Sequence, residues 1–280
     1  MILDNKHRTR NAENGVSGFL IRHKKKLLSL CALIVSLTLW GVIWALASYR
    51  IGVSFILPSP IEAFKEFFKL LPQKEFLSAV AGSLVRVLIG FTLGILLGAI
   101  AAFLSFFIAP LKFFFTPLMK VARATPVASF ILICALWMNS DTTPAFISIV
   151  MVFPIVYQNV LTGLSETDSA LIEMTDIYGF SPIKKLLNLY LPSATPYYGS
   201  ACITSLGLAW KSCVSAEVLI VTAKSVGYYV YTSKLYFETE KLFAWTITIV
   251  LLSVLLEYSV KLIARFIKRL LGRRFTIYGK

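Results

Sequence analysis

The sequence predicts an all-α integral membrane protein of six transmembrane helices, with one polar hairpin between the fourth and the fifth. Three observations lead there. Of 280 residues, 57% are hydrophobic and 15% charged, whereas soluble domains average roughly 45–50% and about 25%; mean hydropathy is +0.76. Apolar runs recur at close to the ~20 residues that a helix needs to cross a bilayer core. The basic residues behind the net charge of +14 cluster at Lys6–Lys26 and Lys261–Lys280. Both clusters flank apolar runs, which suits anionic lipid and topology control and not a nucleic-acid face.

The elements follow in order. Residues 1–26 are a polar, basic tail, and 27–264 hold the membrane domain. Leu27–Ser48 is too long for the apolar core of a signal peptide, and no A-x-A-type site follows it, so it reads as the first span. Tyr49–Phe76 is a loop containing Leu57-Pro58-Ser59-Pro60 and an amphipathic helix, Ile61–Leu71. Its Phe64, Phe67, Phe68 and Leu71 recur at helical spacing and suit the membrane interface. The second span, Leu84–Phe107, carries Gly90, Gly94 and Gly98 at four-residue intervals, and Gly82 and Arg86 continue the stripe. Small residues so spaced let helices approach closely in lipid, and Arg86 on that face must meet protein or water.

Ala109–Lys112 is a turn. The third span, Phe113–Trp137, contains Pro117 and the run Arg123-Ala124-Thr125-Pro126. Proline removes a backbone hydrogen bond and restricts the residue before it, so a kink is expected near Thr125. Irregular helices at membrane depth are tolerated where they line a cavity, which makes Thr125, Pro126 and Ser129 candidates for a pathway wall. Asn139–Thr143 turns the chain into a fourth span, Pro144–Leu164, interrupted at Pro154. The fifth span, Pro196–Thr222, sets Lys211 and Glu217 among apolar residues, with Ser215 between them. Residues six apart do not share a helix face, so each charge needs its own partner, and Arg86 is a candidate for Glu217. A clamp between helices and a role in substrate passage both fit these charges. Ala223–Glu240 is a tyrosine-rich loop suited to interfacial anchoring or to an extracellular partner. Leu242–Ile263 is the sixth span, and 265–280 a basic tail.

Between spans four and five lies Ser165–Pro192, SETDSALIEMTDIYGFSPIKKLLNLYLP. Ser165 with Asp168 resembles a capping box. The helix it opens runs to Tyr178, and Gly179 takes the left-handed position that ends it. Ser181-Pro182 starts a second helix, which Leu191-Pro192 ends. The order Glu173, three residues from Asp176 to Tyr178, Gly179, nine residues, Leu189, one residue, Leu191-Pro192 resembles the EAA loop of bacterial ABC importer permeases. Met174 and Thr175 replace the two alanines of that pattern. Ser83-Leu84-Val85-Arg86-Val87-Leu88 with Gly90-Phe91, and Ala209-Trp210-Lys211 running to Ala216-Glu217, resemble the nitrate, sulfonate and taurine type of that family.

The resemblance implies a cytoplasmic coupling hairpin in which Glu173, Met174, Thr175, Asp176, Tyr178, Gly179 and Pro182 face an ATPase. It implies two ATPase subunits holding ATP and Mg, an extracytoplasmic binding protein, and a second permease, the same chain or a related one. It places the chain in a bacterial inner membrane as a subunit passing a small solute such as a sulfonate, nitrate or a vitamin precursor. On that reading Arg86, Thr125, Pro126, Ser129, Lys211, Ser215 and Glu217 are pathway candidates, and Gly90, Gly94 and Gly98 pack helices.

The residues themselves bound the chemistry. There is no GxxxxGK[ST], so any ATP must be bound by another chain. The cysteines, Cys31, Cys134, Cys202 and Cys213, lie in apolar runs without CxxC spacing and read as small hydrophobes. His7 and His23 both fall in the basic tail, which argues against a histidine metal site. No cofactor is expected on this chain, and paired catalytic carboxylates are missing from the spans, so an enzyme is not expected. With both termini inside, 19 lysines and arginines fall in cytoplasmic segments and 7 outside, as the positive-inside rule requires. An ion-coupled secondary transporter, using Arg86, Lys211 and Glu217 as ion sites, is the alternative, though it gives no reason for the hairpin.

Overall fold

The computed structural model describes Leu28 and residues 31–275; the tail at 1–26 and residues 276–280 lie outside them. All regular structure among the described residues is helical. The chain divides after Phe64 into two units. In the first, α1 (Cys31–Ile51) is apolar and long enough to cross a membrane. The loop that follows is fastened to it by Trp44 Nε1 donating to Pro58 O at 3.0 Å and Ser48 Oγ to Leu57 O at 2.9 Å. Helix α2 (Pro60–Leu70) opens on a capping box: Ser59 N donates to Glu62 Oε2 at 2.7 Å and Glu62 N to Ser59 Oγ at 3.3 Å. Phe67 of α2 is buried but Phe68 and Leu71 are exposed, so the expected aromatic face is split.

The second unit is built on α3 (Lys74–Phe107), α6 (Thr143–Ser165) and α9 (Leu191–Ile220). A Cβ at Gly90 would lie 2.4 Å from Ala145 O, one at Gly94 2.7 Å from Val152 Cβ, and one at Gly98 2.9 Å from Phe153 O. The glycine stripe of α3 therefore lies directly on the backbone of α6, a contact that any side chain would force apart. These contacts rise together in both helices, so α3 and α6 run in the same direction. Ser148 Oγ donating to Ala209 O at 3.2 Å, and Tyr197 against Gly163, set α9 antiparallel to α6. Val87, Val152, Val156, Tyr157, Leu206 and Trp210 fill the core between the three.

Because α3 and α6 are parallel, the segment between them must carry the chain back across. It does so as a broken pair, α4 (Ala109–Ala124) and α5 (Val127–Ala135), bent by 103°. The expected kink is a complete break. Thr125, ahead of proline, sits at φ −74 and ψ 127, extended as a residue before proline must be. Among the described residues five helices are long and apolar enough to cross a membrane singly, and counting this pair as one crossing gives six.

Other expectations are corrected. Helix α3 begins at Lys74, ahead of the expected Leu84, since its polar first turn continues the helix beyond the apolar run. Helix α6 passes Pro154 without interruption, its buried neighbours Val152 and Val156 holding the turn. Arg123 Nη2 donates to the Pro154 carbonyl at 2.8 Å. The segment Ala223–Glu240 is no plain loop, for it contains α10 (Val226–Leu235). Ser225 caps that helix by accepting from Tyr228 N at 2.9 Å, and Tyr229 stacks on Trp245 at 4.9 Å. The last helix, α11 (Thr239–Phe275), continues into the expected basic tail. Its Trp245 closes a second cluster with Phe67, Phe76 and Val226.

Candidate functional site

Two polar features interrupt the apolar second unit, one at each end of α9. The first is the hairpin. Ser165 is the last residue of α6 and caps nothing, which corrects the expected capping box. Asp168 is the N-cap of α7 (Ser169–Ile177), its Oδ1 accepting from Ala170 N at 2.9 Å. Gly179 has φ +63, and Phe180 N donates to Thr175 O at 2.9 Å and Gly179 N to Asp176 O at 3.1 Å. Those two bonds are the Schellman pattern that closes a helix on a left-handed residue. Ser181 then caps α8 (Pro182–Lys185), accepting from Lys184 N at 3.4 Å. The Lys185 ammonium pairs with the Asp176 carboxylate and ties α8 back to α7.

Leu191-Pro192 does not end the second helix. One π-helical turn, Leu186–Tyr190, joins α8 to α9, with Leu191 N bonded to Leu186 O. The wider turn takes up a proline that has no N–H and whose ring crowds the preceding turn. The result is one apolar helix of 39 residues, Pro182–Ile220. At the hairpin tip Ile177 is 84% exposed, Tyr178 74% and Ile183 69%. Glu173, Met174 and Asp176 are also exposed, whereas Thr175 is buried with its hydroxyl on Ile172 O at 2.7 Å.

The second feature is a buried carboxylate at the other end of α9. Glu217 is wholly buried. Its Oε2 accepts from Ser83 Oγ at 2.7 Å and from Gly227 N at 3.3 Å, and Arg86 Nη1 donates to Oε1 at 3.3 Å. The expected partnership of Arg86 with Glu217 is formed. Arg86 also donates to Ala223 O at 3.3 Å and lies 3.5 Å from Asp141 Oδ1. Ser83 Oγ accepts in turn from Val226 N at 3.0 Å. One carboxylate thus joins α3, α9 and the start of α10. The fit is close: a Cβ on Gly227 would meet Glu217 Cβ at 2.4 Å, and one on Gly82 would meet Lys224 O at 2.6 Å. Ser83, Asp141 and Gly227 were not singled out as partners in the sequence; Ser83 stands three residues before Arg86, one turn away on α3, and nothing local marks the others.

The remaining candidates lie apart from this cluster. Lys211 and Ser215 are exposed on α9, Ser215 Oγ donating to Lys211 O at 2.8 Å. At the break between α4 and α5, Thr125 is half-buried with its hydroxyl on Val121 O at 2.9 Å, and Pro126 and Ser129 are exposed. Among the described residues no group of three or more His, Cys, Asp and Glu could hold a metal ion.

The model of a family described as binding-protein-dependent transport system inner membrane component matches residues 94–269, more than half of the chain. A Bacillus subtilis protein that carries the name of an aliphatic sulfonates transport permease, SsuC, is 28% identical over 82% of this chain and 83% of its own. The taurine transport system permease protein TauC of Escherichia coli is 22% identical over 85% of this chain and 87% of its own. Among solved structures, a chain of an amino acid ABC transporter with histidines superposes with a TM-score of 0.58 at 17% identity, covering 74% of this chain and 97% of that one. A chain of the inward-facing MetNI methionine ABC transporter gives 0.54 at 18% identity, covering 68% and 92%.

Proposed function

We propose, from the premise that this chain belongs to the family of binding-protein-dependent transport system inner membrane components, that its hairpin and α9 form one mechanical unit coupling an ATPase to the passage of a small solute. The chain is a non-catalytic permease subunit of an ABC importer, and ATP is hydrolysed on a separate subunit. The observation that carries the coupling role is the hairpin tip. Ile177, Tyr178 and Ile183 stand out in the open on a segment stiffened by two caps, a Schellman turn and an ion pair. Exposed apolar groups on a rigid polar mount mark a docking surface. One of two ATPase subunits carrying ATP and Mg would grip it, with Glu173, Met174, Asp176, Tyr178, Gly179 and Pro182 at or beside the contact. Because α8 runs without a break into α9, a displacement of the hairpin reaches the membrane as movement of a rod and is not lost in a loop.

The pathway in this reading follows the exposed polar face of α9 at Lys211 and Ser215, with the broken pair at Thr125, Pro126 and Ser129 as a second wall. Arg86 and Glu217 fasten α9 to α3 and α10, and Gly90, Gly94 and Gly98 hold α3 against α6. The charge asymmetry supports cytoplasmic termini, which puts the hairpin on the ATPase side. A second permease, most simply another copy of this chain, completes the pore, and a binding protein delivers the solute from outside. The names of the relatives, sulfonates and taurine, suggest small organic solutes.

Purification of the chain from its native membrane in mild detergent, with mass spectrometry of what accompanies it, tests this. A P-loop ATPase at one per permease is expected, and it is expected to be lost from an Ile177→Glu variant of normal yield. Recovery of the chain alone, with uptake that survives ATP depletion and collapses with the proton gradient, would replace this reading with a secondary transporter.

A further inference from the structure

The exposed residues of α9 include Ser200, Thr204, Leu208, Lys211, Ser215 and Leu219. Steps of four, four, three, four and four keep them on one face. That face is unlike the outward face of α11, where Val250, Leu251, Val254 and Leu255 are all apolar as lipid contact requires. Lys211 lies about 13 Å inside the end of α9, deep for a charge held against lipid.

Its electrostatic setting is also distinct. Arg86, the arginine at the Glu217 cluster, is neutralised by Glu217 and Asp141. Glu257 of α11 reaches to Gly207, one turn from Lys211, with its Oε1 3.0 Å from where a Cβ would stand, but it pairs with Lys261 at 3.5 Å. Lys211 has no carboxylate within ion-pair distance among the described residues. Two of the three hydroxyls on its face do not compete for an anion. Ser215 and Thr204 give their protons to their own helix, at Lys211 O (2.8 Å) and Ser200 O (3.1 Å). The uncommitted donors between Leu208 and Ser215 are those of the ammonium, the Ser200 hydroxyl lying about 16 Å away along the helix.

We infer that Lys211 is an anion-selecting residue, a single uncompensated positive charge on the α9 face that favours passage of solutes bearing a sulfonate, carboxylate or phosphate. This rests on the reading that the α9 face lines an aqueous pathway. An ammonium is a point charge without the planar fork of a guanidinium, so it selects for charge and leaves the shape of the head group open. Arg86 takes no part, because its charge is spent on fastening helices.

The test needs no knowledge of the solute. In the assembled complex, with Cys31, Cys134, Cys202 and Cys213 replaced by alanine, Ser215→Cys places a thiol one turn from Lys211. Its labelling rates with anionic sulfonatoethyl and cationic trimethylammonioethyl methanethiosulfonate are compared. The expected preference for the anionic reagent falls about tenfold in Lys211→Gln, the size of effect one unit charge exerts at a few ångströms in a partly aqueous site, and survives in Lys211→Arg. Leu208→Cys, on the other side of Lys211, gives the same readout if Ser215→Cys disturbs assembly. Labelling by both reagents at a ratio indifferent to Lys211 overturns the anion role and leaves the pathway reading standing. Protection of both cysteines from both reagents means that the face is sealed, and both readings fall.

Discussion

The two ends of α9 are held in opposite ways. At its C-terminal end a wholly buried carboxylate takes bonds from α3 and from the backbone of α10, and glycines at 82 and 227 let the backbones close around it. At its N-terminal end nothing comparable is buried. The hairpin is kept in shape by its own caps, a left-handed glycine and a lysine–aspartate pair whose aspartate is exposed. One end is fixed by a buried polar network, and the other is stiff in itself and meets α3 through Tyr190 packed edge-on against Phe106 and Phe107. A rod fixed at one end and presented at the other suits a lever, and the contrast predicts where substitutions are felt globally and where only locally.

The largest effect is expected at the buried end. Glu217→Ala leaves Arg86 without its closest carboxylate and strips acceptors from Ser83 and Gly227, a loss of about 3 kcal/mol for breaking a buried pair on one side. It should appear as a clear drop in the thermal unfolding midpoint of the purified complex. Glu217→Gln keeps an acceptor for both donors and should lose less. Adding Arg86→Met to Glu217→Ala should recover part of the loss, because the orphaned charge goes too. A Glu217→Ala protein that unfolds with the wild type would show that packing alone fixes this end, and the contrast between the ends would collapse.

Much of this architecture is legible in the sequence, and the part that is not has a common cause. Span lengths, the glycine stripe and the break at Thr125-Pro126 depend on local chemistry: apolar length, absence of a side chain, a missing N–H. Gly179 was readable for the same reason, since a left-handed helix end favours glycine. The pairing of Arg86 with Glu217 could be anticipated only because charges in lipid need partners. Ser83 and Gly227 could not, since a serine and a glycine are ordinary in such a chain and acquire meaning only when α9 and α10 fold back on α3. Leu191-Pro192 misled in the other direction. Proline after an apolar run normally stops a helix, but one widened turn absorbs it here, and the hairpin becomes the first part of the fifth span. The tyrosine-rich segment was missed because β-branched and aromatic residues are weak helix formers, whereas burial of Val226 and stacking of Tyr229 on Trp245 hold it helical.

At the hairpin the effects should be smaller and confined. Gly179→Val forces a β-branched residue to φ +63, while a Cβ there meets nothing within 4 Å. The penalty is therefore purely one of backbone, about 1–2 kcal/mol. Hydrogen exchange should rise across residues 165–190 with little change in global unfolding, and ATP hydrolysis in the assembled complex should lose its dependence on solute. A global destabilisation as large as that of Glu217→Ala would mean that the hairpin is integrated into the core after all.

The smallest effect separates the cap from the charge. Asp168→Ala removes the acceptor for Ala170 N and should cost α7 about 1 kcal/mol, seen as faster exchange in the first turn of that helix alone. Asp168→Asn keeps a side-chain oxygen in the same place and ranks with aspartate as a cap, so it should exchange nearly as the wild type does. If asparagine behaved like alanine, the negative charge at the helix start would matter more than the hydrogen bond. The hairpin would then be held by a field that salt weakens, and its stiffness, unlike that of the buried end, would fall with ionic strength.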